Sequence, residues 1–438
     1  SAPVIVGARS ALLIPILNLG LIIVDEEHEP AFKQEESVRY HARDMAVYKA
    51  LKSSAPIVLA SATPSLETFH NMKLGKYIHL ILPNRATGAE MPEIKLLDLK
   101  LHPPIKGHWI SPILVDEIRA RLIKKEQSLL FLNRRGYSPL TLCRSCGTKV
   151  NCKNCDTWLV EHRSDSTLVC HHCGFKKIIS NVCEFCGEKN KMQSCGPGVE
   201  RITEEVKKYF PEANLITLSS DTMKSQSILT DAINKIKNGE VDIMIGTQMI
   251  AKGHDFPNLK LVGIIDSDIG LSGGDLRASE RSFQLLQQVS GRSGRHALNK
   301  DDKGLVILQT FDPENTIIKA IAKNIRNDFF EKELISRKNA GMPPFGRLAA
   351  IILSCKSEKH LDIFASKLSR EIPSFDNVKF FGPAPAPLHF LRGSFRKRFL
   401  IKSHKTVNLQ QVLLDWVKKV KTPANIKLII DIDPFSFM

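Results

Sequence analysis

An acidic run, Asp25-Glu26-Glu27-His28, directly follows four apolar residues at positions 21–24. At the end of a buried strand, carboxylates can reach Mg²⁺ and orient a water molecule. We therefore assign Asp25 to the metal ion and Glu26 to the attacking water, and we place His28 with them in the catalytic set. The alternative for the run by itself is a solvated helix start.

Hydroxyl and glycine residues follow two further apolar runs. Ser61 and Thr63 come after residues 57–60, where their hydroxyls could report the state of a phosphate; a helix N-cap is the alternative. Gly246 and Thr247 come after residues 242–245. A glycine lets the backbone approach a phosphate closely, and Thr247 and Lys252 can donate hydrogen bonds to it.

Two arginines supply the cationic half of this chemistry. Arg292 follows Gln288 by four residues and Arg295 follows Arg292 by three, a spacing that predicts one face of a helix. A planar, permanently charged guanidinium suits a transferring phosphoryl group better than an ammonium does. The pair could therefore face a phosphate from a second lobe.

Eight cysteines form four Cys-x-x-Cys pairs with gaps of 5, 14 and 9 residues: Cys143 and Cys146, Cys152 and Cys155, Cys170 and Cys173, Cys183 and Cys186. Eight thiolates suit two tetrahedral Zn²⁺ ions in closed, structural sites. Free buried thiols or an iron–sulfur cluster are the alternatives. The 14-residue gap is typical of a zinc-ribbon loop, so we expect the second and third pairs to share one ion and the first and fourth the other.

Composition favours an anionic partner. The chain has 438 residues, with 62 Lys and Arg against 46 Asp and Glu and a formal charge of +16, which favours nucleic acid; a basic surface kept for solubility is the alternative. No apolar run approaches the roughly 20 residues of a membrane span, and no signal segment opens the chain. We expect a cytoplasmic protein with no membrane partner, and the missing initiator Met suggests a truncated chain.

The elements that position these residues are short apolar runs alternating with helical patterns. Strands are predicted at residues 21–24, 57–60, 128–132, 215–218, 242–245, 261–265 and 305–308, with helices at 112–125 and 201–209 among them. This alternation predicts an α/β fold with its chemistry at the carboxyl ends of the strands.

Domain boundaries follow from the breaks in this pattern. Prolines and weak periodicity place a linker at residues 95–108, so we expect a first lobe at 1–105. The second lobe is expected at 106–140 and 196–322, interrupted by a zinc-binding insertion at 141–195. Residues 323–438 show the order βαββαβ, which matches a ferredoxin-like α+β domain.

The last domain carries a basic tract from Arg392 to Arg398. A hairpin at Gly393-Ser394 could present Arg396, Lys397 and Arg398 to DNA, with Phe395 stacking on a base. A charged edge strand that resists aggregation is the alternative.

Taken together, Asp-Glu-Glu-His, Ser-Ala-Thr, Gly-Thr-Gln-Met-x-Ala-Lys-Gly-His-x-Phe and Gln-Val-Ser-Gly-Arg-Ser-Gly-Arg resemble the superfamily 2 DExH helicases. More narrowly, the chain resembles the PriA family of bacterial replication-restart helicases from residue 6 to residue 434. The resemblance implies two RecA-like lobes, the first incomplete, and the nested zinc pairing. It also implies that Ser61 and Thr63 couple the lobes, that Thr247 links DNA to nucleotide, and that Gln288, Arg292 and Arg295 face the γ-phosphate.

The resemblance further implies ATP with Mg²⁺, 3′-to-5′ movement on single-stranded DNA, and recognition of branched fork DNA. Primosome proteins and single-strand-binding protein are the implied partners, in a bacterial, nucleoid-associated cytoplasmic setting. The charged and aromatic tract at residues 33–44 resembles a loop thought to couple DNA contact to ATP hydrolysis.

Some family features are absent. No Gly-x-x-x-x-Gly-Lys-Ser/Thr loop occurs in these 438 residues. In the family it lies upstream, with an N-terminal DNA-binding domain and a winged helix, so we expect the chain alone not to hydrolyse ATP. Val199 stands where the family has a Thr. A non-catalytic zinc-bearing DNA-binding scaffold is the alternative function; an RNA helicase or restriction-type translocase fits less well, because neither usually carries four Cys-x-x-Cys pairs there.

Overall fold

A computed structural model describes residues 4–435 except 37, 84, 86–87, 134–139, 144–149, 151, 154–158, 163–166, 170–174, 179, 181, 190–191, 196–197, 220–221, 224, 251–254, 269–270, 272–276 and 297–302. The chain forms two compact units. The first contains Ser1–His79, Phe330–His389 and Ser394–Met438, and the second contains Leu80–Phe329 and Phe390–Gly393.

The amino-terminal part of the first unit is built on a pair of parallel strands. Its elements are β1 (Ile22–Val24), β2 (Lys33–Gln34), β3 (Tyr40–His41), α1 (Ala42–Lys52), β4 (Ile57–Leu59) and α2 (Leu66–Lys73). Strands β1 and β4 run parallel, with Val24 opposite Leu59. Strands β2 and β3 form a short antiparallel hairpin that leads directly into α1. Both predicted strands of this segment are confirmed.

The second unit contains a six-stranded parallel sheet. Its elements are β5 (Glu93–Asp98), α3 (Pro112–Ile123), β6 (Gln127–Phe131), β7 (Leu140–Cys143), β8 (Val160–His162), β9 (Thr167–Val169), β10 (Lys176–Ile178), β11 (Met192–Cys195), α4 (Val199–Tyr209), β12 (Leu215–Leu218), α5 (Gln226–Lys237), β13 (Ile243–Gly246), β14 (Leu259–Ile264), α6 (Ala278–Ser290), β15 (Leu305–Thr310) and α7 (Thr316–Ala322).

The strand order in this sheet is β12-β13-β6-β14-β15-β5, and every pairing is parallel. Strands β6, β14 and β15 are buried at every position. Parallel strands covered on both faces appear in a sequence as short continuous apolar runs. The α/β prediction for this lobe is therefore confirmed.

Strand β5 corrects the predicted linker. We placed the linker at residues 95–108, but β5 pairs with β15 along its whole length, from Glu93 opposite Leu305 to Asp98 opposite Thr310. The error has a physical cause. An edge strand has one partner and alternates polar with apolar residues, so it lacks the apolar run that marks the inner strands.

The cysteine-rich segment forms small antiparallel sheets. Strand β7 pairs with β11, which brings the entry and the exit of the segment together. Strands β8, β9 and β10 form a separate three-stranded sheet. A small core of Cys152, Leu159 and Leu168 is packed against Val150, Phe175 and Leu391.

The carboxyl-terminal elements are α8 (Arg326–Asn339), β16 (Gly346–Cys355), α9 (Glu358–Arg370), β17 (Val378–Leu391), β18 (Ser394–His404), α10 (Leu409–Lys418) and β19 (Lys427–Ile432). From β16 onward the element order is βαββαβ, as predicted, and the order of strands in the sheet is β17-β18-β16-β19. Helices α9 and α10 pack on one face of the sheet around Trp416, which is completely buried.

None of the helices within the described ranges is long and apolar enough to cross a membrane.

Candidate functional site

The acidic run and the Ser-Ala-Thr run lie side by side at the carboxyl ends of β1 and β4. The Ala60 N–H donates to the Val24 carbonyl at 2.9 Å, and the Glu27 N–H donates to the Ala60 carbonyl at 3.1 Å. Because the two strands are parallel, both loops begin at the same edge. Asp25 and Glu26 are exposed there, whereas Glu27 and His28 are buried.

His28 joins the two runs. Its Nδ1 lies 2.7 Å from Ser61 Oγ, and its Nε2 lies 3.5 Å from Thr63 Oγ1. Glu26 Oε2 lies 3.6 Å from His28 Nδ1. The structure therefore brings together Glu26, His28, Ser61 and Thr63, and their role towards a nucleotide stays a prediction.

Glu26 has an unusual backbone conformation. Its φ is +48°, in the left-handed region that non-glycine residues rarely adopt. Such a conformation costs on the order of 1–3 kcal/mol and persists only where neighbouring structure imposes it. The Glu26 N–H donates to Asp25 Oδ1 at 2.9 Å, which also fixes the carboxylate of Asp25.

Glu27 is a structural centre that the sequence analysis missed. It is completely buried and accepts hydrogen bonds from Arg43 Nη1 at 3.1 Å, the Ser65 N–H at 2.6 Å, Ser65 Oγ at 3.1 Å and Thr68 Oγ1 at 3.0 Å. Arg43 lies in the first turn of α1, and Ser65 is the N-cap of α2. The starts of both helices therefore converge on Glu27.

Arg43 stays cationic in this buried position. Burial opposes the charge, but Asp44, Glu27 and Glu67 offset it and raise the Arg43 pKa above its ordinary value. Further hydrogen bonds help to make a buried ion pair tolerable, and here Arg43 Nε donates to Asp44 Oδ1 at 2.8 Å and Nη1 to Ser65 Oγ at 2.6 Å. The only sequence signal was an Arg-Asp pair in the tract at residues 33–44.

In the second unit, Gly246 ends β13 and Thr247 follows it. A Cβ on Gly246 would lie 3.2 Å from both Ile250 Cγ2 and the Leu218 carbonyl oxygen, so a side chain would fit only tightly. Thr247 is buried and its N–H donates to the Leu218 carbonyl at 3.2 Å. Lys252 lies outside the described residues.

The two arginines do not share a helix with Gln288. Helix α6 ends at Ser290, and Arg292 and Arg295 lie in the turns that follow. The prediction of one helical face is therefore wrong. Two glycines explain the difference: Gly291 is the C-cap, and Gly294 has a φ of +62°, which stops the helix.

The arginine turn, residues 291–295, packs against the amino ends of β14 and β15. The Gly294 N–H donates to the Leu259 carbonyl at 2.9 Å, and Ser293 Oγ donates to the Lys260 carbonyl at 2.8 Å. Gly246 and Thr247 lie at the carboxyl end of β13, so they are at the opposite ends of the strands in the same parallel sheet. The expectation that all the chemistry lies at carboxyl ends is therefore wrong for the arginines.

Arg85 holds the arginine turn and was also missed. Its guanidinium donates to the carbonyls of Gly294 at 3.1 Å, Ser293 at 3.3 Å and Gly291 at 3.3 Å. Burial, followed by the charge of Arg295, lowers the Arg85 pKa from its ordinary value. A cation near these carbonyls also complements the negative end of the α6 dipole. The Pro-Asn-Arg context resembles an ordinary loop and carries no signal for this contact.

Asp255 connects the loop after β13 to the arginine turn. Its Oδ2 lies 2.6 Å from His296 Nε2, and its Oδ1 lies 4.0 Å from Arg295 Nη1. Arg295 Nε also donates to the Gly291 carbonyl at 3.1 Å. These contacts fix Arg295 beside Asp255, shortly before the start of β14.

The cysteine pair nearest to the end of the insertion has the backbone of a metal-binding turn. The Gly187 N–H donates to the Cys183 carbonyl and the Cys183 N–H donates to the Glu188 carbonyl, both at 2.9 Å. Gly187, directly after Cys186, has a φ of +74°. Cys183 and Cys152 are buried. These thiols fit a structural zinc ion, which takes thiolate ligands from such turns.

The other predicted zinc ligands are described only in part. Cys143 lies in β7 and its backbone alone is described, while Cys146, Cys155, Cys170 and Cys173 lie outside the described residues. The zinc count and the nested pairing therefore stay predictions.

Strand β18 divides the basic tract between two faces of the carboxyl-terminal sheet. Lys397 forms an ion pair with Asp362 of α9 at 2.5 Å, on the helix-covered face. Arg396 and Arg398 alternate with it and lie on the other face. There, burial, then the charges of Arg39 and Arg398, lower the Arg396 pKa from its ordinary value. A turn at Arg392 and Gly393, both with positive φ, joins β17 to β18 near the predicted position.

Phe395, the predicted base-stacking residue, is partly buried. It packs against the core of the carboxyl-terminal domain, and its ring lies 5.6 Å from that of His389. Alternation along β18 places Phe395 on the same face as Lys397 and buried Phe399. Its stacking on a base stays a prediction.

Three family models match this chain. They are the primosomal protein N C-terminal domain at residues 338–435, the PriA DNA helicase Cys-rich region domain at residues 152–177, and the helicase conserved C-terminal domain at residues 169–297.

Curated relatives extend the similarity over nearly the whole chain. The chain is 45% identical over 434 residues to the replication restart protein PriA of Rickettsia conorii, covering 99% of this chain and 66% of that relative. It is 45% identical to that of Rickettsia felis with the same coverage. It is 35% identical over 440 residues to that of Bacillus subtilis, covering 99% of this chain and 54% of that relative. The chain thus spans between about half and two thirds of the length of these relatives.

Proposed function

Because the chain belongs to the PriA replication restart helicase family, we propose that the protein containing it is an ATP-dependent DNA helicase with 3′-to-5′ polarity. It would recognise stalled or abandoned replication forks, act in the bacterial cytoplasm at the nucleoid, and initiate primosome assembly there. Single-stranded and fork DNA, primosome proteins and single-strand-binding protein are the proposed partners. The two-lobed RecA-like fold, with its first lobe incomplete, is part of the same proposal.

The observation that carries the proposal is the bridge by His28 between the acidic run and Ser61-Ala62-Thr63. A motor must sense the state of a phosphate at one loop and transmit it to another. The exposed Glu26 and the hydroxyls of Ser61 and Thr63 all lie beside the His28 imidazole, so a movement of Glu26 would alter the position of His28 and its contacts with both hydroxyls.

The exposed carboxylate at the end of β1 fits a Mg²⁺ ion that would accompany ATP. Asp25 is exposed at the strand end and can offer its carboxylate to Mg²⁺, an oxygen-seeking cation. Bound Mg-ATP supplies the phosphoanhydride whose cleavage drives movement. With Mg-ATP bound, Glu26 would accept the proton of the attacking water, Arg292 and Arg295 would stabilise charge on the γ-phosphate, and Gln288 would orient it.

Hydrolysis tests the catalytic assignment. In the full-length protein that contains this chain, Glu26→Gln should lower DNA-stimulated ATP turnover by about 10²–10⁴-fold, because a general base is removed, while nucleotide binding is kept. Asp116→Asn, an exposed carboxylate on α3, serves as control. Wild-type turnover in Glu26→Gln would overturn the assignment.

ATP hydrolysis assays on the chain alone and on the full-length protein distinguish the helicase from the alternative scaffold function. We expect no DNA-stimulated hydrolysis from these 438 residues alone, since they contain no phosphate-binding Gly-x-x-x-x-Gly-Lys-Ser/Thr loop. Robust turnover by the isolated chain would contradict this. A full-length protein that binds fork DNA without hydrolysing ATP would instead favour the zinc-bearing scaffold.

Variants of the basic residues on β18 test the proposed DNA contact. Arg396→Gln with Arg398→Gln should weaken single-stranded DNA binding and reduce the salt slope by about 1.4, at roughly 0.7 for each phosphate that is no longer neutralised. Lys397→Gln is the matched control, because Lys397 is engaged by Asp362 on the opposite face. An unchanged slope in the double variant would refute the contact.

Metal analysis tests the zinc assignment. We expect two zinc ions per chain, held by the four Cys-x-x-Cys pairs, and no absorption in the visible range. One zinc ion, or a visible iron–sulfur chromophore, would contradict it.

A further inference from the structure

A buried ionic cluster joins the carboxyl-terminal domain to the β2–β3 hairpin within the first unit. Lys33 Nζ lies 2.8 Å from Asp431 Oδ1, with side-chain exposures of 4% and 6%. The same ammonium donates to the carbonyls of Ile432 at 2.9 Å and Asp433 at 3.3 Å. Arg39 Nη1 donates to Asp431 Oδ2 at 2.9 Å. One carboxylate on β19 thus holds Lys33, at the start of β2, and Arg39, directly before β3.

The hairpin, held by Asp431, is connected through α1 to the acidic run at residues 25–28. Strand β3 leads without a break into α1, and Arg43, in the first turn, donates to the buried Glu27. The His41 ring lies 5.6 Å from the ring of Phe435, which adds an aromatic contact with the end of the carboxyl-terminal domain. Only three residues separate Arg39 from Arg43, so a shift of the hairpin displaces the guanidinium that holds Glu27.

Helix α2 makes a second connection between the same two parts. Its start meets Glu27 through Ser65 and Thr68. Its other residues contact the carboxyl-terminal domain: Phe69 stacks on Phe330 with ring centroids 4.9 Å apart, His70 meets Phe345 at 4.6 Å, and Lys73 forms an ion pair with Glu331. Both helices that converge on Glu27 are therefore anchored on the carboxyl-terminal domain.

We infer that the carboxyl-terminal domain positions the loop at residues 25–28, and that Asp431 is the positioning residue through which it does so. Asp431 acts through Lys33 and Arg39 on the hairpin, then through Arg43 on Glu27. The neighbours of Glu27 are Glu26, the exposed carboxylate, and His28, the bridging imidazole. The catalytic meaning of this role rests on the proposed function, whereas the positioning itself does not.

Hydrogen exchange on the 438-residue chain tests the positioning. In Asp431→Asn and in Arg39→Gln, backbone exchange at residues 22–29 and 40–46 should accelerate about tenfold or more, the effect expected when a hydrogen bond to a charged group is removed. Arg39→Lys keeps the charge and should retain part of the protection. Asp415→Asn is the matched control, because Asp415 is an exposed carboxylate that accepts a hydrogen bond from Gln411 of its own helix, α10.

Two outcomes would overturn the inference. One is wild-type exchange at residues 22–29 and 40–46 in both variants. The other is acceleration shared equally by α9, which would mean that the domain unfolds and positions nothing. Because Arg39 lies on the hairpin with 19% of its side chain exposed, Arg39→Gln still decides the question if Asp431→Asn disrupts β19.

Steady-state kinetics of the full-length protein distinguish positioning of the loop at residues 25–28 from a purely structural role, because positioning predicts a change in kcat that a purely structural role does not. Arg39→Gln should lower kcat for ATP several-fold while the KM for ATP changes less than about twofold, since groups that contact nucleotide are kept. An inactive wild-type protein would count against the proposed function alone. Unchanged exchange would count against the positioning role alone.

Discussion

Replacing Glu27 with Gln should destabilise the first unit far more than the same replacement at the adjacent Glu26. Glu27 is completely buried, and its Oε2 accepts from Arg43, Ser65 Oγ and Thr68 Oγ1. A carboxamide keeps one acceptor oxygen for the Ser65 N–H but turns an NH₂ group towards donors. It also leaves the buried Arg43 without its buried counter-charge.

The magnitude follows from the pairing. Removing one partner of a buried ion pair costs about 3–5 kcal/mol, because the remaining charge is uncompensated. Arg43 keeps Asp44 at 2.8 Å, but that carboxylate is 63% exposed and compensates only weakly. We therefore expect Glu27→Gln to lower the free energy of unfolding of the first unit by about 3 kcal/mol.

Hydrogen exchange under increasing urea is the appropriate assay, because a chain with two units has no single unfolding midpoint. Exchange at β1, α1 and α2 reports the first unit, and exchange at β6 and β13 reports the second. Glu26→Gln is the control: its side chain is 49% exposed and we expect a loss below about 1 kcal/mol.

A double variant sharpens the test. With Arg43→Met added to Glu27→Gln, both charges are gone, and the double variant should lose less stability than the sum of the single variants by about 1–3 kcal/mol. A Glu27→Gln variant within about 1 kcal/mol of wild type, or two single effects that simply add, would refute the assigned role of the buried pair.

Three further predictions concern the arginine turn and helix α2. Arg85→Met removes the guanidinium that bonds three carbonyls of the turn, so exchange at residues 288–296 should accelerate while β5 keeps its protection; equal rates would contradict the contact. Gly294→Ala places a Cβ 2.5 Å from Gly304 N at a φ of +62°, so thermal unfolding of the second unit should occur at a lower temperature, by several degrees for a loss of more than about 1 kcal/mol. Burial and Lys405 lower the His70 pKa below its ordinary 6.5, so the stability contributed by neutral His70 is complete above pH 6.5 and is lost as the pH falls below it. In His70→Gln, the free energy of unfolding of the first unit, measured with urea, should depend less on pH below 6.5. An unchanged pH dependence would refute this.

Much of the fold was predictable because most of its strands and helices have simple local patterns of apolar and polar residues. Strand β6 is buried at every residue, and such strands are recognised as apolar runs. The carboxyl-terminal βαββαβ order was predicted because amphipathic helices α9 and α10 separate β16 from β17 and β18 from β19. Strand β5 was missed because its pairing with β15 depends on residues more than 200 positions away.

The sequence by itself determined which residue types are available and which strand ends they follow: Asp25 and Glu26 after β1, and Ser61 and Thr63 after β4. These are local properties, set by apolar runs and by the residues that end them.

Only the tertiary structure decided which of two chemically identical neighbours does what. Glu26 and Glu27 are adjacent residues of one type, yet Glu26 is exposed and Glu27 is buried against Arg43 and Ser65. Lys397 and Arg398 are adjacent cations, yet they lie on opposite faces of one strand. The physical reason is that burial and charge compensation depend on partners brought in from distant parts of the chain, such as Asp431 for Lys33, and no local pattern encodes those partners.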